Sequence, residues 1–144
     1  MKLDSQTIAD AARRIGISAD ELSAVVQRGA AVTYGPGDYL FHESTPREWL
    51  GLVMAGEIDL VHGQHGRRVL VGVAQEGAVL SERVMLDPED AGAHGTSALT
   101  HKGASVWQIP RAGRKSLRSE NPQVFYRIVG QIARRLSDRL RAAS

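Results

Sequence analysis

Hydrophobic positions repeat with a helical period at both ends of this chain and with a strand period between them. Residues 1–30 and 111–144 carry apolar side chains three and four positions apart, which is the spacing of one face of an α-helix. Residues 31–110 instead alternate apolar with polar or small side chains, as half-buried strands do. The pattern predicts a single domain over residues 1–144, with N-terminal helices, a β-barrel and C-terminal helices in that order.

Capping residues place two helices within the first thirty positions. A polar cap at Asp4 or Ser5 and the glycine at Gly16 predict a first helix. Residues 18–21 read Ser-Ala-Asp-Glu, a capping box that starts a second helix. We expect this second helix to end at Gly29. Its apolar face consists of Leu22, Val25 and Val26.

Short alternating runs separated by glycine turns fill the middle of the chain. Ile58 and Leu60, for example, alternate with Glu57 and Asp59. The turn signals lie at residues 35–37, 55–56, 62–66 and 76–77. Several short strands at such close spacing predict an antiparallel β-barrel or jelly roll, so the fold class is mainly β with flanking helices.

The last predicted helix starts at Asn121-Pro122 and has an apolar face along its whole length. Its early apolar residues are expected to pack on the barrel, whereas Leu136 and Leu140 are expected to lie beyond that contact. Apolar side chains without a partner predict a homodimer through a second copy of the same helix. The face consists of Phe125, Ile128, Val129, Ile132, Leu136 and Leu140.

Composition excludes several classes of site and of protein. The chain has no cysteine, which excludes disulfides, iron–sulfur clusters and a cysteine nucleophile. No apolar run approaches the ~20 residues of a membrane helix, and no signal peptide begins the chain. We therefore expect a cytoplasmic protein without a membrane contact.

Charge is divided unevenly between the body of the domain and its C-terminal segment. Residues 1–110 carry nine basic and fourteen acidic side chains, whereas residues 111–144 carry nine basic and two acidic ones. Such a division favours either contacts between the two segments, within one chain or between two, or an acidic protein partner for the basic helix. The overall net charge of +2 gives no support to specific nucleic-acid binding.

The order and spacing of four segments resemble the cyclic-nucleotide-binding domain of the cAMP-receptor/FNR superfamily. The resemblance covers about Ile15 to Leu136 and implies a regulatory sensor that is not an enzyme. In the family's transcription factors a DNA-reading domain follows the last helix, and eight residues after Leu136 are expected to leave no room for one. The segments are residues 17–22 (ISADEL), 35–41 (GPGDYLF), 50–58 (LGLVMAGEI) and 121–136 (NPQVFYRIVGQIARRL).

The resemblance also implies a phosphate-binding cassette. In the family, a Gly-Glu pair opens a short helix, the Glu binds the ribose, and a later Arg followed by a small hydroxyl residue binds the cyclic phosphate. In this chain Ser81 stands where the family has Gly, Glu82 matches the ribose-binding Glu, and Arg83 follows. The positions of the phosphate-binding Arg and its hydroxyl neighbour fall on Gly92 and Ala93.

Loss of that arginine predicts altered ligand binding. A charge-assisted pair with a buried phosphate contributes about 2–5 kcal/mol, so we expect weak or absent cAMP binding. No cofactor is expected, although cAMP or another small anion remains a possible ligand. An arginine of the helix after the barrel also approaches the ligand in the family, and Arg135 matches it here.

Three alternatives stay open at this point. The first is a working cyclic-nucleotide receptor that uses a substitute cation, either His94 or Arg83. The second is a DNA-binding regulator that uses the helices between Thr7 and Val26, which have the small, turn and apolar residues of a helix-turn-helix. The third is a cupin-like metalloenzyme. Its first motif falls near Gly37, His42, Glu48 and Gly56, but Ser44 stands where a second histidine ligand is needed.

Overall fold

A computed structural model describes residues 3–86 and 92–143 of the chain, the latter without the side chain of residue 143. Eight strands form two four-stranded antiparallel sheets, which together make a jelly roll. Helices precede and follow the strands, so the predicted fold class is confirmed. The elements are α1 Ser5–Ile15, α2 Ala19–Val26, β1 Ala30–Tyr34, β2 Tyr39–Phe41, β3 Trp49–Gly56, β4 Ile58–Gln64, β5 Arg67–Ala74, β6 Val79–Leu80, a 3₁₀ helix Glu82–Met85, β7 Ser97–Leu99, β8 Ala104–Pro110, α3 Arg111–Glu120 and α4 Pro122–Ala143.

The N-terminal caps form as the sequence predicts. Asp4 accepts a hydrogen bond from the Thr7 N–H at 2.7 Å and starts α1, while Gly16 ends it in the left-handed conformation. The capping box of α2 is complete. The predicted end of α2 at Gly29 is wrong, since the helix ends at Val26. Gly29 instead allows the chain to pass close to β8, because a Cβ at this position would lie 2.4 Å from the Gln108 carbonyl oxygen.

The two sheets enclose one core and the helices cover another. The first sheet has the strand order β1-β8-β3-β6 and the second has the order β2-β7-β4-β5. The two faces of β8 contribute to different cores, since Val106 belongs to the core between the sheets and Ile109 belongs to the helical core. The core between the sheets consists of Leu40, Val53, Ile58, Ala74, Leu80, Ala98, Ala104 and Val106.

The helical core joins both ends of the chain. Residues from α1, α2, α3 and α4 pack together on the outer side of the first sheet. The buried face of the two N-terminal helices consists of Ala11, Ala12, Ile15, Leu22, Val25 and Val26. The apolar residues between Thr7 and Val26 that motivated the helix-turn-helix alternative are part of this core.

Helix α4 only partly follows the expectation made for its apolar face. Phe125, Ile128 and Ile132 are buried, as predicted. Leu136 also packs against the helical core, so the expectation that it lies beyond the domain's own contacts is wrong. One further turn carries Leu140 away from the core, and it is 73% exposed. No helix among the described residues is long and apolar enough to cross a membrane.

Candidate functional site

A pocket of 340 Å³ lies where the 3₁₀ helix, β6, the segment before β7 and α4 meet. Apolar side chains and charged side chains share its wall. A volume of this order suits a small organic molecule. The lining residues are Phe41, Arg47, Leu60, Val79, Leu80, Ser81, Glu82, Arg83, His94, Gly95, Thr96, Leu136 and Arg139.

The predicted Ser81–Glu82–Arg83 segment forms one wall of this pocket. Ser81 adopts the left-handed conformation with φ of 58°, which a glycine would adopt without strain. The backbone therefore keeps the shape that a glycine gives, although the side chain is a hydroxyl. Glu82 and Arg83 follow in the first turn of the 3₁₀ helix.

Glu82 forms an ion pair with an arginine of α4. Nη1 of Arg139 donates to Oε1 of Glu82 at 3.1 Å, so Arg139 is the α4 arginine that reaches this pocket. Arg135, which the resemblance matched to the arginine that approaches the ligand, is not among the residues that line this pocket. The difference is one turn along the helix axis, since Arg135 and Arg139 lie four residues apart on the same face of α4 and it is Arg139 that reaches Glu82.

Gly92 and Ala93 lie beside the segment that connects β2 to β3. The Arg47 N–H donates to the Gly92 carbonyl at 3.0 Å, and Ala93 forms an isolated antiparallel bridge with Pro46. This pairing brings the Arg47 guanidinium to the position where the family arginine was expected. A Cβ on Gly92 would lie 3.2 Å from Nη1 of Arg47.

Arg47 is a functional candidate that sequence reasoning missed. It lies in a connection whose pattern predicts neither helix nor strand, and its pairing with residue 92 is a long-range contact. The pKa of Arg47 is lowered by burial and by the nearby charge of Arg83. Arg47 and Arg83 both line the pocket.

His94 is a neutral aromatic wall of the pocket. It is 7% exposed and its ring stacks on Phe41, with 3.7 Å between ring centroids and 8° between planes. Burial, and then the charge of Arg47, lower the pKa of His94 to about 4. With this lowered pKa the ring carries no charge at neutral pH.

A buried arginine ties the 3₁₀ helix to the C-terminal helices. Arg114 of α3 donates from Nε to the Met85 carbonyl at 3.1 Å. Its guanidinium lies 4.7 Å from the ring centroid of Phe125 on α4, a cation–π distance. These two contacts connect the 3₁₀ helix to α3 and α4.

The histidines do not assemble a metal site in the part of the chain that the structure describes. His42 stacks on Tyr39 with 4.5 Å between ring centroids, His62 pairs with Glu43 at 2.9 Å and His101 pairs with Asp59 at 2.9 Å. No group of three or more His, Cys, Asp or Glu residues among the described residues could hold a metal ion.

Comparisons with known proteins agree on one type of domain. The family model described as cyclic nucleotide-binding domain matches residues 31–121. No curated protein matches the sequence.

Solved structures share the fold over nearly the whole chain. A cyclic nucleotide-binding domain from Methylobacillus flagellatus KT has a TM-score of 0.75 at 14% identity, covering 96% of this chain and 80% of that one. The N-terminal domain of a transcriptional regulator from Streptomyces coelicolor A3(2) has a TM-score of 0.74 at 22% identity, with coverages of 85% and 84%.

A longer protein gives a similar result. A candidate cAMP-binding regulatory protein from Silicibacter pomeroyi DSS-3 has a TM-score of 0.73 at 18% identity, covering 94% of this chain. The present chain spans only 62% of that protein. At these identities the three structures establish the shared fold and no ligand.

Proposed function

Because the chain belongs to the cyclic nucleotide-binding domain family, we propose that it is a non-enzymatic regulatory domain that senses a small anionic ligand. The observation that carries the proposal is the charge of the pocket wall, which among the described residues contains Arg47, Arg83 and Arg139 together with Glu82. An arginine-rich pocket with apolar walls favours a small molecule that has an anionic group and an apolar body.

We propose that cAMP binds weakly. The cassette position expected to hold the phosphate arginine is Gly92, and the cation nearest to it, Arg47, comes from another segment. A guanidinium that enters from a different direction changes where an anion is held. The retained Glu82 and the left-handed Ser81 favour the second candidate, a receptor in which Arg47 or Arg83 substitutes for the missing arginine.

The ligand signal would pass to the C-terminal helices. Helix α4 contributes Leu136 and Arg139 to the pocket, and Arg114 links the 3₁₀ helix to α3 and α4. A ligand beside Glu82 competes for its bond with Arg139 and so changes how α4 is held. The basic outer surface of these helices is the part we propose for an acidic protein partner.

Leu140 remains our candidate for a homodimer contact, because it is the exposed apolar residue that the predicted stripe leaves on α4 beyond Leu136. The expected cytoplasmic location and the expected lack of specific DNA binding stay predictions.

Isothermal titration at 150 mM salt with cAMP, cGMP and inorganic phosphate tests the proposed function. We expect saturable anion binding and a cAMP dissociation constant above about 10 μM, as loss of a charge-assisted pair predicts. Hydrogen exchange should report ligand-dependent protection at α4 around Leu136. A cAMP dissociation constant in the low micromolar range or tighter would favour the working-receptor alternative, and no saturable binding of any anion would refute the proposal.

A further inference from the structure

Strand β5 carries the largest group of exposed apolar side chains among the described residues. Between 42% and 57% of each of the following side chains is exposed: Val69, Leu70, Val71 and Val73. The strand has eight residues and lies at the edge of the second sheet, with β4 on one side and no described strand on the other. An apolar surface of this kind on a sheet edge is typical of an interaction site.

The sequence of β5 does little to protect this edge. Natural sheets commonly protect an exposed edge with lysine, proline, inward charges or a bulge. Strand β5 contains neither lysine nor proline, and no charged residue lies between Val69 and Ala74. Its one irregularity is at Val71, which has no partner on β4 because the register shifts there. Val71 is still 56% exposed, so the bulge leaves the apolar surface in contact with solvent.

The two ends of β5 carry opposite charges. Arg67 and Arg68 begin the strand, and Glu76 lies two residues after its end. All three side chains are exposed. Arg68 donates to the Tyr39 hydroxyl at 2.7 Å, whereas Arg67 and Glu76 have no ion pair with any other described residue. The strand is therefore complementary in charge to an antiparallel copy of itself.

We propose that β5 binds a second copy of the chain, with the two β5 strands antiparallel about a two-fold axis near Val71. In that arrangement Val71 meets its own counterpart, and Val69 of each copy lies opposite Val73 of the other. Arg67 lies one residue, about 3.4 Å, from the position opposite Glu76, an offset that these long side chains can span. A second copy thus covers the apolar centre and pairs both charged ends.

This contact is separate from the one proposed on α4. Strand β5 belongs to the second sheet, whereas α4 packs with the other helices on the outer side of the first sheet. A two-fold axis repeats every contact, so the pairing of Arg67 with Glu76 occurs twice in the dimer. The two interfaces can therefore be removed independently.

Sedimentation equilibrium of the full chain tests the apolar part of the contact. Leu140→Asp is introduced first, to remove the contact proposed on α4, and this protein should still dimerise as its concentration rises to several hundred micromolar. Adding Val71→Asp should weaken the association by about tenfold or more, because it places a carboxylate at the centre of the interface. Adding Tyr126→Asp is the matched control, since Tyr126 is an apolar residue of α4 that is 57% exposed, and it should leave the association unchanged.

An exchange of charges tests the antiparallel arrangement in the same background. Arg67→Glu and Glu76→Arg should each weaken the dimer by about tenfold, because each places like charges together at two symmetric positions. The variant that carries both changes should recover most of the affinity. Lys115→Glu on α3, an exposed position, changes the charge by the same amount as Arg67→Glu and should have no effect.

Three results would overturn the inference. The first is a Leu140→Asp protein that stays monomeric at several hundred micromolar, and the second is one whose association Val71→Asp leaves unchanged. The third is a double charge variant that associates no better than the single ones. The substituted side chains are all exposed, and circular dichroism checks the fold of each variant.

Discussion

Acidification should destabilise this domain through His94, well before most carboxylates are protonated. The ring is 7% exposed and stacked on Phe41, and burial with the charge of Arg47 lowers the pKa of His94 from 6.5 to about 4. In the unfolded chain the ring takes up a proton at about pH 6.5, whereas in the folded domain it resists protonation until about pH 4. The unfolded state therefore binds more protons between these values, and stability falls as the pH falls.

The size of the effect follows from the two pKa values. Linkage gives a loss of about 2 kcal/mol between pH 7 and pH 5, and a limit of about 3 kcal/mol below pH 4. These values exceed the effect of an ordinary surface substitution, which is within about 0.5 kcal/mol.

The assay compares wild type with His94→Phe, which keeps an aromatic ring against Phe41 but cannot titrate. Urea denaturation at pH 7, 6 and 5 gives the free energy of unfolding of both proteins. We expect that of the wild type to fall by about 2 kcal/mol more than that of the variant. Parallel pH dependence of the two proteins, or an NMR titration of His94 with a midpoint near 6.5, would refute the reasoning.

Two other pairs of variants test the fold and the dimer. Gly56→Ala should lower the free energy of unfolding by several kcal/mol, because φ is +87° and a Cβ would lie 2.4 Å from the Gly103 carbonyl oxygen. Gly37→Ala, where φ is +85° and a Cβ would meet open space, should lower the free energy of unfolding by only about 1 kcal/mol, as measured by urea denaturation. Equal losses would contradict the clash. Leu140→Asp should lower the mass in sedimentation across a concentration series; Ser119→Asp on α3, also an exposed position, is the control. An unchanged mass for Leu140→Asp would rule out the α4 contact.

The architecture was predictable because its signals are local. The cap at Asp4 and the capping box at Ser18 each act within a few residues, and each is present in the structure. Strands β3 and β4 also form where the sequence predicts strands, although β3 buries both of its faces instead of alternating. Gly29 is the exception, since what it permits is a contact with β8 rather than the end of a helix. The hydrophobic pattern of a segment does not indicate which distant segment it will approach closely.

The candidate site was predictable only in part for the same reason. Ser81, Glu82 and Arg83 lie together in the sequence and together in the pocket. Arg47 reaches the pocket through a pairing of residues 44–47 with 92–94, which no local pattern indicates. Helix periodicity could not have selected Arg139 over Arg135, because the two lie four residues apart on one face of α4, and only the structure shows that Arg139 reaches Glu82.

The measurement that tests the account most directly follows the arginine side chains themselves. Nitrogen-15 NMR of the arginine Nε–H groups, recorded during titration with cAMP and with inorganic phosphate, reports which guanidinium groups contact the anion. We predict saturable shifts among the arginines that line the pocket, Arg47, Arg83 and Arg139, that fit one dissociation constant for each ligand, and no saturable shift for the exposed Arg134. Shifts that grow without saturation, or that are equal at the pocket arginines and at Arg134, would contradict the assignment of this pocket as the ligand site.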